Sequence, residues 1–168
     1  MHRYLIVSML LLGCIVGAFT QTSVAQSLAS IDEHLVQRAD FVVVGRVTEM
    51  RSSWNRDRTG IVTSVSLAVD EFLKGQGSQR SLVVSVPGGE VDGVGEMYTH
   101  MPKFTVNEAV LLFLQRADGG ALRVVGGEAG KIAITEDRLT GKKVVGENQL
   151  LEVFTTRIKS AIKHQEQK

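Results

Sequence analysis

Four side chains with metal-binding chemistry fall within one eleven-residue stretch: Glu90, Asp92, Glu96 and His100. Carboxylate oxygens on a flexible loop suit calcium, and adding the His100 imidazole suits a transition metal. The spacing matches no EF-hand, and the chain has no His-Glu-x-x-His or paired-His element. A loop that carries charge simply to stay solvated is the competing reading of the same residues. A second constellation sets Trp54 among Arg51, Arg56 and Arg58. An aromatic ring flanked by guanidinium groups has the composition of a contact patch. The alternative for Trp54 is a plug folded over the end of a barrel.

Other catalytic patterns fail on particular residues. Gly126-Gly127-Glu128-Ala129-Gly130-Lys131 looks like a phosphate loop, but Val125 stands where the first Gly belongs and Ile132 replaces the magnesium-holding hydroxyl. Its glycines suit a tight turn instead. No Gly-x-Ser-x-Gly elbow occurs, and the only cysteine is Cys14. His34 and His164 read as surface residues. No catalytic residue is assigned and no cofactor is expected, so a non-catalytic binding or interaction module is the first reading of function. A metal-dependent or hydrolytic periplasmic enzyme centred on loop 88–103 is the alternative, and a structural envelope protein is the third.

The elements that must position these groups follow from patterning. His2 and Arg3, the apolar run Tyr4 to Ala18, and Ser23-Val24-Ala25 make a secretory signal peptide of residues 1–25. The apolar run is too short to cross a hydrocarbon core, which needs about 20 apolar residues. No membrane span is expected after cleavage, and the address is periplasmic or secreted. Leu11-Leu12-Gly13-Cys14 loosely resembles a lipobox, which would instead leave a lipoprotein anchored through Cys14. Cleavage after Ala25 removes that thiol, so no disulfide can hold the remaining domain. Arg3 is the one charged side chain removed from 19 Lys+Arg and 18 Asp+Glu, which balances the rest of the chain. With no basic block, nucleic acid is not an expected partner.

Ser30-Ile31-Asp32-Glu33 reads as a capping box opening a short helix that ends near Ala39. Phe41 to Val47 is a β-branched strand, with Gly45 marking a bulge. Met50 to Gly60 reads as a polar loop around Trp54. From Ile61 to Leu73, apolar Ile61, Val65, Leu67, Val69 and Leu73 alternate with Ser64, Ser66 and Asp70, as in a long strand with one wet face. Leu82, Val84 and Val86 follow, and Pro87-Gly88-Gly89 ends that strand. Gly88 to Lys103 has no periodicity and reads as a loop. Val110 to Leu114 is apolar on both faces, with Asn107 suited to a left-handed turn before it. Leu122–Val125, Lys131–Thr135 and Lys142–Val145 are short strands, the last two joined near Thr140-Gly141. Leu150, Phe154, Ile158, Ala161 and Ile162 form the apolar stripe of a helix over about 147–163, with Thr155 outside.

Together these predict a mainly β domain over residues 26–168. It is a small antiparallel, OB-like β-barrel with its core at about 40–145, a short N-terminal helix and a C-terminal amphipathic helix. Three stretches also resemble a known family: Ala39 to Val47, the strand ending Leu73-Lys74-Gly75, and Phe104, Glu108, Leu112, Phe113, Leu114. This layout is similar to the netrin-like modules, which include the tissue inhibitors of metalloproteinases, and to exported bacterial proteins of the same build. The resemblance covers Ala39 to Ile134 and implies an OB-fold barrel. It does not imply inhibition of a zinc protease, because the N-terminal cysteine and disulfides that chemistry uses are missing here. A protein partner, held by the barrel-end loops around Trp54 and in 88–103, is the expected ligand class.

Overall fold

Alternation organises the middle of the chain. In β2 (Ile61–Lys74), Ile61, Thr63, Val65 and Leu67 are buried, while the residues between them are half-exposed. The strand therefore has one dry face, as its period of two requires. The computed structural model describes residues 33–77 and 79–167. The expected leader, Cys14 and the first three residues of the capping box lie outside the described residues. The described part of helix α1 covers 33–38.

Five strands close on themselves. β1 (Phe41–Trp54) pairs with β2, β2 with β3 (Ser81–Pro87), β3 with β7 (Leu122–Val124), β7 with β6 (Ala109–Arg116), and β6 returns to β1. Every pairing is antiparallel except β3–β7, which is parallel and rests on one partner pair, Val84 and Leu122. From β6 the sheet runs on through β8 (Lys131–Glu136), β9 (Lys143–Val145) and β10 (Gln149–Leu150). β1 serves both β2 and β6 by bending, with register shifts at Val42/Val43, Val44/Gly45 and Val47/Glu49. The expected bulge is at Gly45, where the Ala68 carbonyl comes too close for any side chain.

Two hydrophobic cores share β1 and β6. Val43, Val47, Val110, Leu112 and Leu114 point into the barrel with Val65, Leu67 and Val84. Val42, Val44, Leu111 and Phe113 point outward, where Leu35 and Val36 of α1 and the stripe of α2 (Leu151–Glu166) cover them. Phe154, Ile158 and Ile162 are buried there. The C-terminal helix therefore covers the side of the barrel.

Four details differ from the sequence reading. Residues 50–54 are strand, since β1 continues to Trp54 as a two-stranded ribbon with β2; only 55–60 turn. Polar composition hid this, because the ribbon projects into water on at least one face. The 88–103 stretch contains a hairpin, β4 (Gly89–Val91) and β5 (Val94–Glu96). Its turn, Asp92-Gly93, has positive φ at both residues, as tight two-residue hairpins require. The last helix starts at Leu151, because Gln149 and Leu150 are drawn into pairing with β9. Thr155 is buried, its hydroxyl donating to the Glu152 carbonyl. Asn107 takes a left-handed conformation, as expected, and Gly126 to Gly130 form a tight turn with a 3-10 segment, Gly127–Gly130.

The motif residues behind the family resemblance are clamps. The Asp40 carboxylate accepts from the Arg116 amide at 2.7 Å, and the Arg116 guanidinium lies 5.2 Å from the Phe41 ring centre. The Lys74 amine donates to the Val36 carbonyl at 2.6 Å, satisfying a carbonyl at the end of α1. Burial pushes that amine below the ordinary lysine value, opposed by the charges of Asp40 and Glu166.

Helix α2 is held by one face alone. Ile158→Ala opens a cavity under the helix and should cost about 2–5 kcal/mol. Val153→Ser, on the face that is 52% exposed, should change stability by no more than about 0.5 kcal/mol. Urea unfolding of both variants checks this, and equal losses would contradict the two-core arrangement.

Candidate functional site

The β4–β5 hairpin is laid across the β1–β2 ribbon by a short chain of hydrogen bonds. The buried Thr63 hydroxyl donates to the Gly88 carbonyl at 2.7 Å and lies 2.9 Å from the Ser52 hydroxyl. Thr63 has one proton to give, so Ser52 is the donor in the second bond. Gly88 then donates its amide to the Ile61 carbonyl at 2.8 Å, while the Ile61 amide donates to the Glu96 carboxylate at 2.8 Å. Gly89 sits directly over this pair with φ 132°, and a side chain there would run into both hydroxyls. Pro87-Gly88-Gly89 thus ends β3 and lets two backbones approach closely.

Beyond the hairpin, residues 97–104 return across the open end of the barrel. Lys131 fixes the far end of that segment. Its amine meets the Glu108 carboxylate at 2.6 Å and the Lys103 carbonyl at 2.5 Å, and lies 5.1 Å from the Phe104 ring centre. Its middle is pinned where the Glu128 amide donates to the His100 carbonyl at 2.9 Å, and its near end follows Glu96, whose carboxylate accepts from the Ile61 amide. Between them lies a cleft of about 330 Å³, floored by Val65 and Val86 and walled by Met50, Met97, Tyr98, Met101 and Phe104. Met101 and Phe104 pack on the barrel core. Met97 is 84% exposed and Tyr98 49%, with Val94 also exposed on the adjoining hairpin. The Tyr98 hydroxyl donates to the Glu96 carboxylate at 3.3 Å, which steadies the ring at the rim.

The four acidic-loop residues are spread along this structure. Glu90 lies in β4, Asp92 at the hairpin turn, Glu96 in β5 and His100 in the returning segment, where its φ is 62°. One Glu96 oxygen already holds Ile61 and Tyr98. Among the described residues, no three of His, Cys, Asp and Glu come together as metal ligands. The Trp54 group is also divided. Trp54 pairs with Ile61 and Arg51 with Ser64, so the two side chains leave opposite faces of the ribbon. Arg51 meets Glu49 at 2.6 Å on its own face. Arg56 and Arg58 are exposed in the 55–60 turn, where Asn55 accepts from the amides of Thr59 and Gly60. Trp54 is half-buried at the ribbon's tip and belongs to neither core cluster of the described residues. The barrel interior is filled by others.

A larger depression of about 460 Å³ lies by Phe41, Phe72, Gln76, Gln79 and Arg116. Its Arg116 is stacked on Phe41 and its Phe72 ring packs against Gly77, so these groups already serve one another. The methionine cleft is the better candidate, because Met97 and Met50 stand at its rim exposed to water while its floor is apolar. Sequence reasoning reached its loop but not its floor. Met50 lies far from Met97 along the chain, and only the β1–β2 ribbon brings them to one opening. Neither protein-family models nor curated proteins give a match to this chain. Among the described residues, no helix is long and apolar enough to cross a membrane.

Thr63→Val keeps the shape and removes the hydroxyl that both Ser52 and Gly88 use. The stranded partners should cost about 1–3 kcal/mol. Amide exchange should quicken selectively in 88–97 while β6 stays protected. Uniform acceleration over the whole sheet would show that the hairpin is not held locally.

Proposed function

We propose that this chain is an exported, non-catalytic binding module that receives an apolar segment of a protein partner in the methionine cleft at the barrel end. One observation carries the reading: Met97 and Tyr98 are presented to water around a concave apolar floor, on a segment tied down at both ends. Scattered surface hydrophobes need no explanation, but a contiguous apolar rim around a cleft marks an interaction site. Methionine suits such a surface, because its unbranched, polarisable side chain re-packs around different partners.

The strand order β1-β2-β3-β7-β6-β1, with a parallel β3–β7 pair, supports an OB-like classification and fits the netrin-like resemblance. A fold of this kind hosts many functions, so the function is argued from the cleft. Export is supported by the basic, apolar and small-residue regions of 1–25. Mass spectrometry of the protein from cell envelope and culture fluid should find a chain beginning at Gln26. A chain beginning at an acylated Cys14 would overturn soluble export.

The cleft itself is tested with a polarity-sensitive apolar dye and an array of extended apolar peptides. Replacing both Met97 and Tyr98 by Ser should lower the melting temperature only slightly, since Met97 is 84% exposed and Tyr98 is half in water. Losing two apolar contacts should weaken binding by at least about tenfold. Binding that is undiminished in this double variant would remove the cleft as the site.

A further inference from the structure

The three methionines of the described residues, Met50, Met97 and Met101, all line the same cleft. They come from two distant parts of the chain, so the grouping is a product of the fold. We infer that this cleft is also a thioether site for a soft monovalent cation, Cu(I). Thioether sulfur is a neutral, soft ligand that favours Cu(I) over the hard cations the neighbouring carboxylates would suit. The described residues contain no cysteine, so thioethers are their only sulfur donors.

The placement of the three side chains fits a site that closes around its ion. Met101 is half-buried and packed on the barrel core, which gives one sulfur a fixed base. Met50 stands on the β1–β2 ribbon, opposite Val65, at the edge of the same opening. Met97 is 84% exposed, so its three rotatable bonds are free to bring its sulfur inward. The Glu96 carboxylate lines the cleft too and offsets the positive charge of Lys103 there. The surrounding Val86, Tyr98 and Phe104 make an apolar shell, which limits water around a bound ion.

This inference goes beyond the binding reading above and does not need it. The probe is Cu(I), kept reduced by ascorbate and presented in competition with a chromogenic Cu(I) chelator, with Ag(I) as a redox-inert parallel. The intact domain should take one ion, and Ag(I) should shift the methyl resonances of all three methionines. Each of Met50→Leu, Met97→Leu and Met101→Leu should weaken Cu(I) binding by at least about ten- to hundredfold, the loss that even outer-shell partners cause. The triple Leu variant should bind none. Leucine conserves volume and apolarity, so that variant should melt as the parent does and still bind the apolar dye. Failure of the parent to compete for Cu(I), or full binding by the triple variant, would overturn the site. Dye binding measured on the same samples reports on the apolar-partner reading independently.

Discussion

Two strands that are buried on both faces set the terms for this molecule. β1 and β6 lie side by side, and each gives alternate residues to the barrel interior and to the layer under the helices. A one-residue slip in their register would exchange the two sets and put Val43 where Phe113 packs, with no polar face to absorb the error. The pairing is therefore strongly specified. With no cysteine among the described residues, the shared wall does the work that disulfides do in many small exported domains. Val42 to Arg46 pair with β2 along one edge and β6 along the other, and the register shifts at Gly45 and after Val47 fall in this doubly paired wall and at its end.

Closure is uneven as a result. The ladder between β1 and β2 is long, whereas β3 meets β7 through a single parallel pair. Below that pair the barrel wall is completed by side chains and returning chain. The Lys131 clamp on Lys103, Phe104 and Glu108 and the Thr63–Gly88 hydrogen bond both border the methionine cleft. Between these anchors the barrel offers an apolar floor with an opening.

Much of this was legible in the residues. The alternation of β2, the doubly apolar run 110–114, the bulge at Gly45 and the stripe of α2 each follow from a period or a single residue type. What was hidden has physical causes. The ribbon to Trp54 carries serines and arginines because it leaves the core, so hydrophobic periodicity has nothing to report there. Asp92-Gly93 between two valines is a strong hairpin signal, but the glycines and acids around it masked a strand pair of only three residues each. The expected sites were read from neighbours in sequence. A strand sends Arg51 and Trp54 to opposite faces, and a hairpin separates Asp92 from Glu96. The cleft depends instead on Met50 meeting Met97 and Met101 across a fold, which no local pattern encodes.

The same contrast separates the motif residues of the sequence from the lining of the cleft. Asp40, Phe41, Lys74, Phe104 and Glu108 are engaged in clamps: an amide to a carboxylate, a ring under a guanidinium, an amine to a helix end, a ring under an ammonium, a half-buried ion pair. Their spacing is a consequence of how the barrel is pinned. Met50, Met97, Tyr98 and Met101 make no part of those clamps. Met97 and Tyr98 stand exposed on a segment that the fold holds in place, Met101 packs on the barrel core, and Met50 stands on the β1–β2 ribbon. Of the motif residues only Phe104 also lines the cleft, where its ring lies under the Lys131 amine, so the motif describes how the barrel is pinned and not what the cleft would receive.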